Sequence, residues 1–469
     1  MKTYSIKLLV VGLVLIFSSC EEWLDVQPRQ SIDSATALTS QEAITAATNA
    51  VYARFRSVTL YGRDFLAIPE LLADNAINTG TGNRLVGQYF NNPGAHLNNW
   101  QASYYGINQI NLILEAVEKL EAPADYKNLI KGQNLFLRAL LYHNLLRVYA
   151  YDPTAILQGE DRGGVPLVTK GVLAVSDIEF PERASIQEGY AFVYKDLEDA
   201  YTFLQAQSNN RGPHFATRAA AAALFSRVAL YNGDYQRVIN QAELAFAGGV
   251  ASFPNNPVSI WRSEVNPESY FEIVFATPDN IGSNESLRAT YMTRVFLDDT
   301  NPASHGNVVY SSELLEEYED NDLRLGLIQR GFTPNTNEFE SNKFASKNGV
   351  PNLDNVPVIR YAEVILNKAE AHYRLGQAAE ARTELNRIRV RAGLDAVTTL
   401  EGEELLEEIL RQRRIELAFE GHRFFDLKRL GRDLVKGFGT IAFDDFRILN
   451  NIPTREIDIN PNLVQNRGY

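Results

Sequence analysis

Cys20 is the one cysteine in 469 residues, so neither an intrachain disulfide nor a cysteine-based zinc cluster is open to this chain. It directly follows Ser18-Ser19, small residues that suit cleavage ahead of a cysteine and lipidation of its thiol. An ordinary secretory signal with a chance cysteine is the plainer alternative. The six histidines never fall at metal-ligand spacing, and no GxSxG, HExxH, P-loop or glycine fingerprint after a strand occurs. The residues therefore name no nucleophile, metal or cofactor, and no enzyme activity is predicted. Acidic pairs such as Glu403-Glu404 and Glu407-Glu408 read as helix-surface charge. The set Arg413, Arg414, Glu416, Glu420, Arg423 and Asp426 interrupts an apolar pattern instead, and ion pairs locking a helix to the globule are expected there. Recognition of a polyol needs flat aromatic faces for C–H contact and planar polar groups for paired hydroxyls. The stretch from Asp74 to Asn98 offers both, in Asp74, Asn75, Asn83, Arg84, Tyr89, Phe90, Asn91 and Asn92.

The elements that must hold these residues are mostly helical. Tyr361, Ile365, Ala369, His372 and Tyr373 recur at helical steps, as do Ala381, Leu385 and Ile388 beyond a turn at Gly376-Gln377. Ala369 and Ala381 stand where a tetratricopeptide (TPR) hairpin needs small residues for close helix approach. A second such hairpin spans Thr217 to Phe246 around Asn232-Gly233-Asp234, with Ser226, Ala242 and Ala245 at its small positions. Gln133–Tyr149 with Ile186–Leu204, and a helix pair near the N-terminus, bring the count to about four units. A solenoid needs about three, because one hairpin cannot bury its own apolar face. Ser40 is placed to cap a helix from Gln41, with Ala43, Ala47, Ala50, Val51 and Phe55 on its buried side. Trp100, Tyr104, Ile107 and Asn111 form a core stripe, and Arg138 and His143 are expected to be buried and hydrogen bonded. A long helix is expected from about Glu403.

Between these units the helical period lapses over residues 79–98, 151–185 and 248–355, each read as an irregular insertion. Glu272 to Phe275 is a candidate strand and Ser312 to Tyr318 a helical turn or two. Loops this long within a compact domain are uncommon and often functional. The C-terminal stretch from Ile452 to Tyr469 reads as an ordered wrap rather than an element.

The ends and the charge bound the setting. Lys2 and Lys7 precede an apolar run from Leu8 to Phe17, about ten residues and so too short to span a bilayer. Residues 1–19 thus read as a lipoprotein signal peptide, 20–39 as a lipidated tether and 40–469 as one domain. A net charge of −13 argues against a nucleic-acid partner, which needs a basic surface.

Residues 358–430 carry a further signal: RYAE at Arg360–Glu363, LNRIRVRAG at Leu385–Gly393 and RRIELAFEGHRFFDLKR at Arg413–Arg429. Their order resembles the C-terminal signature of the SusD/RagB family, and both chain ends resemble that family as well. The resemblance implies a TPR-like helical solenoid carrying irregular insertions that form a ligand face. It implies a surface lipoprotein, lipidated at Cys20 and held on the Gram-negative outer membrane, with Glu21 and Glu22 resembling its surface-export signal. It also implies a non-catalytic protein that binds an oligosaccharide or starch-like polysaccharide and hands it to a SusC-like TonB-dependent transporter. By region only, the resemblance adds Tyr291, Arg294 and His305 in the later insertion to the ligand-binding candidates. A peptide or another nutrient as ligand, and a TPR adaptor with protein partners alone, remain the alternatives.

Overall fold

The computed structural model describes residues 37–205, 212–300, 304–332 and 337–469. Cys20, the signal segment 1–19 and the 20–39 tether up to residue 36 lie outside the described residues.

Ser40 opens α1 (Gln41–Arg54), its hydroxyl accepting from the Ala43 N–H at 3.2 Å. The buried side is set by Ile44, Thr48, Val51, Tyr52 and Phe55, which recur at steps of three and four; Ala50 is exposed, contrary to the expectation. Val51 and Phe55 lie on the expected face, but Ile44 and Tyr52, larger apolar groups than the alanines, turn its centre so that Ala43 and Ala47 are only half-buried. α2 (Asp64–Leu72) is buried throughout and leads into β1 (Ala76–Asn78).

The helices α3 (Trp100–Lys119), α4 (Ala124–Tyr149), α5 (Ile186–Phe203), α6 (Arg218–Asn232) and α7 (Tyr235–Ala247) then follow. Beyond the long insertion come α8 (Tyr361–Arg374), α9 (Ala378–Arg391) and α10 (Gly402–Glu416). Each packs on the next in this order, α1 going directly to α3, so the helical core is the TPR-like solenoid expected of the chain. Hydrogen-bonded caps mark several of the starts: Ser185 and Glu188 close a reciprocal capping box, and Thr217 and Asp234 accept from Ala220 and Arg237. Gly233 and Gly376 end α6 and α8 in the left-handed conformation (φ +73° and +74°), the usual glycine stop. Buried Ala219–Ala223 make α6 apolar on every side, as a helix enclosed between neighbours must be. Ser226, Ala242, Ala245, Ala369 and Ala381 are likewise buried at the expected close contacts.

Arg138 lies in α4 and pairs with Asp196 of α5 at 2.7 Å. His143 is buried but neither ring nitrogen finds a hydrogen-bond partner; it packs edge-on against Tyr190 and Tyr231 instead. Burial pushes this imidazole well below its ordinary value, so it stays neutral, and a neutral ring is what an apolar slot tolerates.

The insertions contribute strands in antiparallel pairs. β2 (Ser269–Ile273) pairs with β6 (Val356–Arg360), beginning three residues before the expected strand. β3 (Val308–Tyr310) pairs with β1, joining the later insertion to the early one through Ala76↔Tyr310 and Asn78↔Val308. β4 (Ile328–Arg330) pairs with β5 (Phe339–Ser341). The hairpin β7 (Leu434–Lys436) and β8 (Gly439–Ile441) follows α11 (Arg423–Arg429), which packs on α2. The C-terminal stretch is not a plain wrap, since it contains α12 (Thr454–Ile459); Pro453 opens it with a backbone already near helical φ. One apolar cluster extends from Ile44 to Leu463.

The charged set at 413–426 is buried and paired. Arg360 reaches Glu268 at 2.9 Å, Glu416 at 2.8 Å and Glu420 at 2.7 Å. Arg413 pairs with Asp426 at 2.8 Å, and Arg429 with Glu370 at 2.7 Å. Together with Arg391 of α9, which pairs with Glu268 and Glu416, these bonds tie α8, α9, α10 and α11 to one another and to the insertion strands.

Candidate ligand-binding site

Residues 79–98 are less irregular than expected, because Val86–Tyr89 forms a short helix. Its end is pinned from below. Asn91 adopts φ +48° and its Nδ2 donates to the Leu72 carbonyl at 2.9 Å, while its Oδ1 accepts from Lys436 Nζ at 2.8 Å. Lys436 also donates to the Leu71 carbonyl at 2.6 Å and to that of Tyr89. One ammonium therefore gathers the end of α2, the loop and the β7–β8 hairpin. Burial pulls Lys436 down to about 7, against Asp74, whose charge raises it.

Above this anchor three rings pack on one another. Phe438 sits 5.3 Å from Tyr89 and 5.4 Å from Phe90, and Tyr89 lies 4.9 Å from Phe90, between centroids. Phe90 is 46% exposed and Phe438 47% exposed, so two large apolar faces meet solvent together. Lys436 Nζ lies 4.8 Å and 5.0 Å from the centroids of Tyr89 and Phe438, a cation beneath the rings. Asn92 is exposed beside them. A rigid aromatic surface with amide groups at its edge is the chemistry that holds a sugar's C–H face and its hydroxyls.

Other candidates occupy different places. Asn83 is exposed in a tight turn at φ +54°. The Arg84 carbonyl accepts from Asn78 and Asn307, and its guanidinium lies 3.5 Å from Glu285. His305 joins this group, 3.5 Å from the Asn284 carboxamide; burial and the Arg84 charge hold its imidazole below its ordinary value. Arg294 is apart from both, stacked over Phe332 at 4.3 Å and donating to the Arg330 carbonyl.

Four candidates have little or no surface for a ligand, which corrects the expectation for them. Tyr291 is 0% exposed and packs edge-on against Phe419 at 5.0 Å. Asn75 is 1% exposed, donating to Glu70 at 2.7 Å and accepting from Arg414 at 2.9 Å. Asn91 is the buried pin described above. Asp74 makes a two-pronged pair with Arg423 at 2.6 and 2.8 Å. Burial alone would raise the Asp74 carboxyl, but Arg423 and Arg414 hold it below its ordinary value. The polar groups of Asn75, Asn91 and Asp74 lie where leaving them unpaired would be unfavourable, so partners within the fold claim them, whereas Tyr291 is enclosed by ring packing and its hydroxyl has no hydrogen-bond partner.

Sequence reading missed Phe438 and Lys436. The signal was present in Lys436-Gly437-Phe438-Gly439, which places an aromatic in a two-residue hairpin turn where Gly, Asn or Asp is usual. Among the described residues no group of three or more His, Cys, Asp or Glu is arranged to hold a metal ion.

Comparison with known proteins bears on this geometry. Residues 327–469 match the family model described as the SusD family. Residues 22–230 match one described as starch-binding associating with outer membrane. The chain is similar to SusD-like protein P38 of Formosa agariphila, 27% identical over 100% of this chain and 99% of that one. A SusD superfamily protein of Bacteroides thetaiotaomicron is 26% identical, with a TM-score of 0.78 over 91% of this chain and 100% of its own. Another from Bacteroides vulgatus shares the fold at a TM-score of 0.81, 24% identity, and coverage of 92% and 99%.

Proposed function

Because this chain belongs to the SusD/RagB family, we propose that it is a non-catalytic outer-membrane lipoprotein that binds a glycan and passes it to a SusC-like TonB-dependent transporter. The observation that carries this reading is the exposed ring surface of Phe90 and Phe438, backed by Tyr89 and held by Lys436. Large apolar side chains left half in solvent and fixed by packing beneath are suited to contact with a ligand. Asn92 at the edge supplies hydroxyl contacts. Arg84, Asn83 and His305 make a second polar group on the same loop and on the insertion joined to it by β1 and β3.

Phe90→Ala and Phe438→Ala should each lower affinity for a bound oligosaccharide by about threefold to tenfold, the worth of one aromatic contact. Their melting temperatures should stay close to the parent's, because half-exposed rings add little to the core. Calorimetry against starch-like and other oligosaccharides, with melting curves on the same samples, measures both. Unchanged affinity in the double variant for every oligosaccharide that the parent binds would move the site elsewhere.

The anchor has its own test. Cys20→Ala should yield folded protein that no longer fractionates with the outer membrane, since buried acyl methylenes at ~0.8 kcal/mol each provide the attachment. Incorporation of labelled palmitate into the variant at the parent's level would contradict lipidation at Cys20.

A further inference from the structure

A hollow of about 270 Å³ opens between α1 and β2, and no residue of the Tyr89–Phe90–Phe438 surface lines it. Its walls include Tyr52 and Phe215, whose rings meet edge-on at 5.1 Å, and Asn49 stands exposed at its rim. Three further lining side chains carry polar atoms that are buried yet unpartnered. Glu272 is fully buried; its Oε2 accepts from Ser269 Oγ at 2.7 Å and from the Asn266 N–H at 3.1 Å, while Oε1 has no donor. His214 Nε2 and Arg56 Nε are also buried without a partner, although Arg56 Nη1 pairs with Asp279 at 2.6 Å. Buried polar atoms are nearly always satisfied, so an acceptor, a donor and an imidazole nitrogen around one hollow point to an occupant that completes them.

We propose that this hollow is a second saccharide subsite, sized for a single neutral sugar ring. A ring hydroxyl donates to Glu272 Oε1, another accepts from Arg56 Nε, and His214 Nε2 bonds a third. Tyr52 and Phe215 cover apolar C–H positions. Asp279 already balances the Arg56 charge, which leaves the Glu272 carboxylate to disfavour uronates and sulfated sugars by like-charge repulsion. The volume suits one hexose rather than an oligosaccharide, so the subsite takes a chain end or a side branch. The inference shares with the preceding reading only the class of ligand, and the two fail separately.

Saturation-transfer NMR and titration with D-glucose, D-galactose, D-mannose, D-xylose and D-glucuronate test it on the full chain. At least one neutral monosaccharide should bind near ~1 mM, with D-glucuronate weaker. Glu272→Gln should weaken that binding by about tenfold, the usual loss when a hydrogen bond to a charged group is made neutral. His214→Ala keeps the β2 hydrogen bonds intact and should weaken it several-fold, so the question survives if Glu272→Gln folds poorly. Phe90→Ala with Phe438→Ala should leave monosaccharide binding unchanged. The proposal falls if no monosaccharide binds in this range, if His214→Ala binds as the parent does, or if the Phe90/Phe438 double variant abolishes the signal. Monosaccharide binding that depends on His214, in a protein whose oligosaccharide affinity ignores Phe90 and Phe438, would keep the subsite and overturn the platform.

Discussion

Arg360→Met is expected to destabilise the fold by about 3–5 kcal/mol, the usual effect of removing one partner from a buried ion cluster. Arg360 is 1% exposed, and its guanidinium bonds Glu268, Glu416 and Glu420 together. Arg391 also serves Glu268 and Glu416, and Lys343 also serves Glu420 at 2.7 Å. Without Arg360, Glu268, Glu416 and Glu420 keep only Arg391, Lys343 and Arg324, and Arg324 is shared with Asp322. Arg432→Met, which opens an exposed pair with Glu407, should cost about 0–1 kcal/mol by comparison. Urea unfolding of the two variants measures the contrast, and equal losses would refute the buried-network account.

The same cluster sets an acid limb. Burial would raise the Glu416 carboxyl, but Arg391, Arg360 and Arg324 hold it well below its ordinary 4.5. Glu370 and Asp426 are lowered likewise, each by arginines that outweigh burial. A carboxyl depressed in the folded state binds fewer protons than in the unfolded chain. Its contribution is therefore complete above the unfolded values of 4.5 for Glu and 3.8 for Asp, and is lost as pH falls through the folded ones. The parent's melting temperature should fall steadily below about pH 4.5, and Arg360→Met should show a shallower fall.

Gly421→Ala is expected to cost about 3–5 kcal/mol, combining strain at positive φ with overpacking against backbone. Gly421 sits at φ +81°, and a Cβ there would lie 1.9 Å from the Phe65 carbonyl oxygen. Its N–H donates to Glu70 at 2.8 Å, a carboxyl that burial pushes up to about 7. Gly376→Ala is the matched control, because Gly376 has a similar φ of +74° but nothing within 4 Å of the added carbon. It should cost about 1 kcal/mol. Melting curves followed by circular dichroism measure both, and similar shifts would mean that α11 and α2 yield to the extra methyl. Gly421 also bears on the ligand surface, since α2 leads to the carbonyls of Leu71 and Leu72 that pin Lys436 and Asn91.

The sequence by itself determined the helical hairpins, their small-residue contacts and the burial of the 413–426 charges. Those features are local: a helix face repeats within one or two turns, so Ala369 and Ala381 or Ser40 and Gln41 declare their roles without distant partners. Polar spacing named the 79–98 loop for the same reason, and within it Phe90 and Asn92 stay exposed. Only the tertiary structure decided which candidates meet a ligand. Asn75 and Asn91 look like neighbours of Asn83 and Asn92 in composition, yet they are claimed by Glu70, Arg414 and Lys436 from remote segments. Phe438 joins Phe90 only because Lys436 gathers the hairpin under the loop, and Tyr291 is enclosed because Phe419 and Phe344 close over it. A side chain's exposure depends on which distant residues pack against it, and that is set by the closing of the whole chain rather than by local spacing.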